Sequence, residues 1–260
     1  MASETSGMGI VLGAWRVLAA TLLATGALAA WAAPVTTQGT WYGTDGTNGT
    51  LQARDSTGNP LASVTDPNAK YFYDTVLDLT WLGDWNANGA MTWAAANAWA
   101  ASLTDFGGGW SLPGVLDIGM DGCAGAAFSG TDCGYNVYGS EAARRDSPLA
   151  HMYYDTLGNL APYDVAGNDQ SGWGLSNTGP FSKMQSDYYW SGTEYAPVTA
   201  NIWNFDVDSG LQHFGYRFYN EWYAVAVHPG DVAAVPEPQS VVLALLGLAV
   251  LWVVRRRRLG

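Results

Sequence analysis

Two apolar segments, 17–30 and 240–254, lie near the ends of this 260-residue chain and confine any water-exposed fold to the residues between them. The first follows a polar stretch closed by Arg16 and ends in Ala30-Trp31-Ala32, ahead of Ala33 and Pro34. A short apolar core followed by small residues at a cleavage position reads as a secretory signal, residues 1–32, cut after Ala32. The second segment follows Val235-Pro236-Glu237-Pro238 and is closed by Arg255, Arg256, Arg257 and Arg258. Arginines directly after an apolar helix stay on the cytoplasmic side, which puts the chain before them outside. The expected transmembrane helix, 240–254 within a tail 235–260, is shorter than the ~20 residues that span a bilayer comfortably. It suits a transient anchor better than a permanent one, although an ordinary single-pass anchor is the plainer alternative.

Between these ends the chain is acidic. Its formal net charge is -12, and that figure still includes Arg16 and the four terminal arginines, so the exported part is more negative. Such a surface repels nucleic acid and anionic headgroups and favours neutral partners or divalent cations. Only 13% of residues are charged while 48% are hydrophobic and 13 are Trp, the composition of a packed domain and not of a disordered tail. About 200 residues suffice for one sizeable core, or two small ones. The two cysteines, Cys123 and Cys133, are expected to form a disulfide in an oxidising compartment. Closing so short a loop contributes about 2–3 kcal/mol.

Residues 33–69 are rich in Thr, Gly, Asn and Asp and read as loops with one or two short strands. The main domain, 70–231, opens with two predicted strands, 71–74 and 77–82, the second placing Leu77, Leu79 and Trp81 on one face. Thr92 precedes an alanine-rich helix whose inner face carries Trp93, Ala96, Ala100 and Leu103, with Gly107, Gly108 and Gly109 beyond it. A second helix is signalled by Ser147 as cap, Pro148 at the first turn, the face Leu149, Met152, Tyr153 and Leu157, and Gly158 as stop. Strands are expected at 188–191, 202–207, 211–216 and 222–227, with Asp208-Ser209-Gly210 as a hairpin turn. Helices early and antiparallel strands late give an α+β domain with two main helices.

Pro236, Glu237 and Pro238, the apolar stretch and the arginine cluster together resemble the PEP-CTERM sorting signal of Gram-negative bacteria. That resemblance implies recognition by an exosortase, a membrane-embedded cysteine protease, and an association with exopolysaccharide at the cell surface or in the matrix. A second resemblance runs through Tyr73-Asp74, Leu79-Thr80-Trp81, Trp93 with Asn97, Gly109-Trp110-Ser111-Leu112-Pro113, Ser140-Glu141, Leu157-Gly158-Asn159, Tyr189-Trp190-Ser191-Gly192-Thr193-Glu194 and the run from Ala224 to His228-Pro229-Gly230. In that order these motifs resemble the Lcl C-terminal domain family, a domain of unknown function, which implies a C-type-lectin-like fold related to that of formylglycine-generating enzymes. Ser111 and His228 depart from the pattern, standing where the family has arginine.

Candidate chemistry is sparse. Asp84, Asn86, Asn88 and Gly89 match the first half of an EF-hand loop, but Ala95 occupies the position of its bidentate Glu. Asp206 and Asp208 share a strand face and could share a cation, yet an ordinary hairpin end explains them. No cofactor is therefore expected, with calcium left open. No nucleophile elbow, metal-binding helix or phosphate loop is present, and His151, His213 and His228 have no evident catalytic partner. The chain is accordingly read as not an enzyme. Flat aromatic faces beside polar groups suit sugar rings, and Trp190, Glu194 and Trp203 are the candidate glycan-binding residues. The leading expectation is a noncatalytic exported surface protein that binds glycan. A purely structural envelope protein and an enzyme acting on polysaccharide or protein stand as alternatives.

Overall fold

A computed structural model describes residues 39–43, 48–119, 123 and 127–233. The expected signal 1–32 and the sorting tail 235–260, with its apolar stretch 240–254, lie outside the described residues. Among the described residues no helix is long and apolar enough to cross a membrane.

Two antiparallel sheets dominate. The first has the order β1-β2-β3-β7, from β1 (Leu51–Arg54), β2 (Tyr71–Asp74), β3 (Leu79–Leu82) and β7 (Val227–Pro229). The second is the meander β4 (Tyr188–Glu194), β5 (Asn201–Asp206) and β6 (Leu211–Tyr216). Helix α1 (Trp93–Ser102) buries Ala96 and Ala100 with no side-chain cap from Thr92. The other helical pieces are α2 (Glu141–Arg144), α3 (Pro148–His151) and a π turn over Met152–Thr156 that continues α3.

The architecture is thus α+β, mostly sheet, and three expectations need correction. The second helix does not run as one α-helix. It widens after one turn, Leu157 N–H reaching back to the Met152 carbonyl at 2.8 Å, while the Thr156 carbonyl accepts from Thr40 and Trp41 N–H. Ser147 does not cap this helix with its side chain; its hydroxyl donates to Gln212 Oε1 on β6 instead. The strand expected at 222–227 enters a sheet only from Val227, because Trp222 and Tyr223 make single bridges to Met91 and Tyr189. Residues 33–69, expected as loops with one or two short strands, hold a strand. Leu51 pairs with Asp74 and Arg54 with Tyr71, so β1 is integral to the first sheet.

The main core lies between the first sheet, α3 with its π turn, and one face of the second sheet. Trp81 and Trp85 stack in it at 5.5 Å, with Phe72, Phe181, Tyr153 and Phe205 around them. Each such ring removes 150–250 Å² from water, which makes aromatics the largest single contributors to burial. A second cluster forms where α1, Trp110 and residues 224–226 cover Trp190 and Ile202. The third is small, Val115, Cys133, Tyr195 and Trp203, beside the Cys123–Cys133 disulfide.

Candidate binding cleft on the second sheet

Strand alternation decides which side chains of β5 reach which side of the sheet. Trp203 and Phe205 point to one side of the sheet, into buried clusters, and Ile202, Asn204 and Asp206 share the opposite face with their cross-strand partners Tyr188 and Trp190 on β4 and Leu211, His213 and Gly215 on β6; Trp190 and Ile202 are themselves core residues there. Residues 220–224 cover part of that face. There Trp222 lies against Tyr188 at 5.0 Å with nearly parallel rings and against Trp190 at 4.3 Å. What they leave open is a cleft of about 310 Å³ lined by Tyr188, Asn204, Leu211, His213, Phe214, Gly215, Asn220 and Trp222. Its size is that of a small ligand pocket.

Gly215 fixes how closely Trp222 approaches. A Cβ at this position would overlap the tip of the Trp222 indole, so the flat wall of the cleft exists because β6 has no side chain there. Asn204 is 1% exposed, and neither its Nδ2 nor its Oδ1 has a hydrogen-bond partner among the described residues. Leaving a buried polar atom unsatisfied costs about 1–3 kcal/mol. No other residue on this face combines that cost with a place in the cleft lining. His213 Nδ1 lies 2.8 Å from the Phe214 carbonyl, and the two rings stack. Among the described residues no carboxylate, lysine or arginine lines the cleft. Beyond Tyr216 the chain exposes an aromatic group, Phe218 at 62% and Tyr219 at 84%, both packed on Tyr216.

The glycan-binding candidates read from sequence are not brought together as a platform. Trp190 and Trp203 are each 0% exposed. The Trp190 indole N–H donates to the Met91 carbonyl, and that of Trp203 to Asp117 Oδ2. Neither ring has a free face on which a sugar could stack, and this corrects the expectation. Glu194 is exposed, and its Oε1 accepts from Arg217 at 2.6 Å while the Arg217 guanidinium lies 4.7 Å from the Trp93 ring. Tyr188, Asn204 and Trp222 escaped the sequence reading. The usable signal was the alternation Trp203-Asn204-Phe205, an amide opposite two large aromatics.

The acidic candidates are occupied by protein groups. Asp84 Oδ1 accepts from Asn86 N–H, and its Oδ2 from Lys183 Nζ at 2.6 Å. Asp206 accepts from Asp208 N–H and Ser209 Oγ, which closes the hairpin turn before Gly210. Burial pushes the Asp206 carboxyl above its ordinary value, and the Ser209 hydroxyl pulls the other way. Among the described residues no three His, Cys, Asp or Glu side chains gather as metal ligands.

One array resembles a nucleophile relay. His151 Nδ1 lies 3.3 Å from Thr156 Oγ1, and its Nε2 3.1 Å from Glu141 Oε1. Thr156 is 0% exposed, so no substrate carbonyl can reach its hydroxyl. His228 lies on β7, and Ser111 makes an isolated bridge to the residue before it. Ser111 exchanges both backbone bonds with Val227, and the His228 ring meets the Trp110 ring edge-on at 5.5 Å.

Residues 234–258 match the family described as the PEP-CTERM protein-sorting motif. The match contains Pro236, Glu237, Pro238 and the arginine cluster, and it marks an exported surface protein sorted by an exosortase. It covers the tail alone, and the expected likeness of residues 70–231 to the Lcl C-terminal domain has no counterpart in it. Neither the curated proteins nor the solved structures include a match to the chain.

Proposed function

We propose that this exosortase-sorted surface protein carries a noncatalytic glycan-binding domain, held at the envelope or in the matrix through the exopolysaccharide it binds. The observation that carries the reading is the cleft on the second sheet, lined by the half-buried Tyr188 and Trp222 rings together with His213 and Asn220. A sugar ring offers an apolar face to the half-buried rings and hydroxyls to polar groups at the cleft rim. The order of motifs that resembles the lectin-like Lcl C-terminal domain supports the same reading, as does the exopolysaccharide association implied by the tail. Both cysteines are oxidised, which leaves no thiol for formylglycine-type chemistry.

The complete burial of Trp190 and Trp203 favours a second reading, a structural envelope component that contacts other proteins. Calorimetric titration separates the two. Full-length protein in detergent, titrated with exopolysaccharide from the producing cell, is expected to bind saturably, and Trp222→Ala to bind at least tenfold more weakly. Absence of saturable binding, with calcium and with chelator alike, would leave the structural reading in its place.

A further inference from the structure

Residues 230–233 leave the first sheet bound residue by residue. Gly230 N–H donates to the Asp78 carbonyl at 2.8 Å. The Thr80 hydroxyl donates to the Gly230 carbonyl and accepts from Val232 N–H at 3.3 Å, so one side chain of β3 holds both neighbours of Asp231. Asp231 itself takes two bonds from Arg54, and Ala233 N–H folds back onto Asp231 Oδ1 at 2.9 Å. Val232 is buried in the cluster that holds Tyr71 and Trp110. Because β1 and β7 are the outer strands of the sheet, the Arg54–Asp231 pair spans all four. The Ala53 carbonyl and Gln52 Oε1 accept from the same guanidinium and keep it on β1.

Only Ala234 and Val235 separate this bound end from Pro236 of the sorting motif. An extended chain covers at most ~3.6 Å per residue, which puts Pro236 within about 11 Å of Ala233. One helix with its side chains is about 10–12 Å across. A membrane-embedded protease that surrounds the motif therefore has room for a single helix between it and the folded domain. Detaching residues 230–233 would lengthen the free segment between Pro229 and Pro236 to about 25 Å. Such an opening breaks the Thr80 and Arg54 contacts but leaves β1, β2 and β3 paired, and a local opening of this kind costs less than global unfolding.

We propose that Arg54, Thr80 and Asp231 form a latch that positions the sorting motif, withholding it from the exosortase while residues 230–233 stay bound and presenting it when they detach. The rate of processing then follows the fraction of chains with the latch open, and Arg54 and Asp231 act on that reaction as positioning residues.

Pulse–chase of the full-length chain in the producing cell reads the rate at which the tail is lost. Asp231→Asn is expected to be processed at least threefold faster than wild type. A Gly-Ser linker of about ten residues inserted after Ala233 supplies the missing reach without touching the latch. It is expected to speed processing as much, and adding Asp231→Asn to the linker chain to give no further gain. Asp155→Asn breaks another two-bonded pair, Arg144–Asp155, whose side chains are each 14% exposed, and is expected to be processed at the wild-type rate. The latch would be overturned by a wild-type rate in Asp231→Asn, by full additivity with the linker, or by equal acceleration in Asp155→Asn, which would mark a loss of general stability. Absence of processing in every chain would overturn it too. Glycan binding is untouched by any of these outcomes.

Discussion

Gly215 is the residue on which the cleft most visibly depends. Its backbone is extended and unstrained, so its role is space alone, and the Trp222 ring fills the volume a methyl group would need. Gly215→Ala should therefore push Trp222 off the sheet, opening the wall against Tyr188. The expected outcome is loss of glycan binding by tenfold or more, together with destabilisation of about 1–3 kcal/mol from overpacking, read by calorimetry and thermal denaturation. A variant that binds normally would show that Trp222 is not the wall. At the same scale, Asn204 illustrates how a site can hide in a sequence. An isolated Asn in a strand has many uses, and only the register of β4, β5 and β6 reveals that it faces a cleft and not a turn.

Among the elements, β7 and the residues after it close the first sheet from the far end of the chain. Thr80 Oγ1 donates to the Gly230 carbonyl at 2.7 Å, and Arg54 grips Asp231 with two bonds, Nε to Oδ1 at 2.9 Å and Nη2 to Oδ2 at 2.6 Å. The Arg54 side chain is 4% exposed. Burial pushes the Asp231 carboxyl up, but the Arg54 guanidinium and the Ala233 N–H together outweigh it and hold the group below its ordinary 3.8. A depressed carboxyl contributes stability above its unfolded value and loses it as pH falls through the folded one. Asp231→Ala should cost about 2–3 kcal/mol at pH 7, chiefly by leaving a buried guanidinium unpaired. The gap between variant and wild type should narrow as pH drops below 3.8, which urea denaturation at pH 7 and pH 3 would measure; a pH-independent gap would contradict the assignment.

The elements themselves were legible in proportion to their local signal. β2, the alanine-rich α1 and the β5–β6 hairpin carry their pattern within a few residues, whereas the π turn at Met152–Thr156 depends on a carbonyl bonded to Thr40 and Trp41 over a hundred residues away. The path of 222–226 was likewise invisible, because its continuous apolar run suits a buried strand, whereas Trp222, Ala224 and Ala226 pack with Trp190 and Ile202 while Tyr223 and Val225 join the main core. Trp190 and Trp203 show the same limit at the site. Composition marks them as aromatic, and only the fold places them inside.

At the scale of the molecule, the two sheets and the sorting motif divide the work. Residues 234–258 direct the chain to an exosortase, and the acidic, aromatic-rich domain before them meets whatever lies outside the membrane. A neutral cleft on a strongly negative protein suits an uncharged polymer, which would not be repelled from the surface. The central claim is that the polymer lies in the cleft beside Tyr188 and Trp222 on the second sheet, and hydroxyl-radical footprinting of the full-length protein with and without the native exopolysaccharide tests it most directly. Protection of Tyr188 and Trp222, with unchanged labelling of exposed Trp173, is the expected result. Protection confined to other residues, or none at saturating polymer, would contradict it.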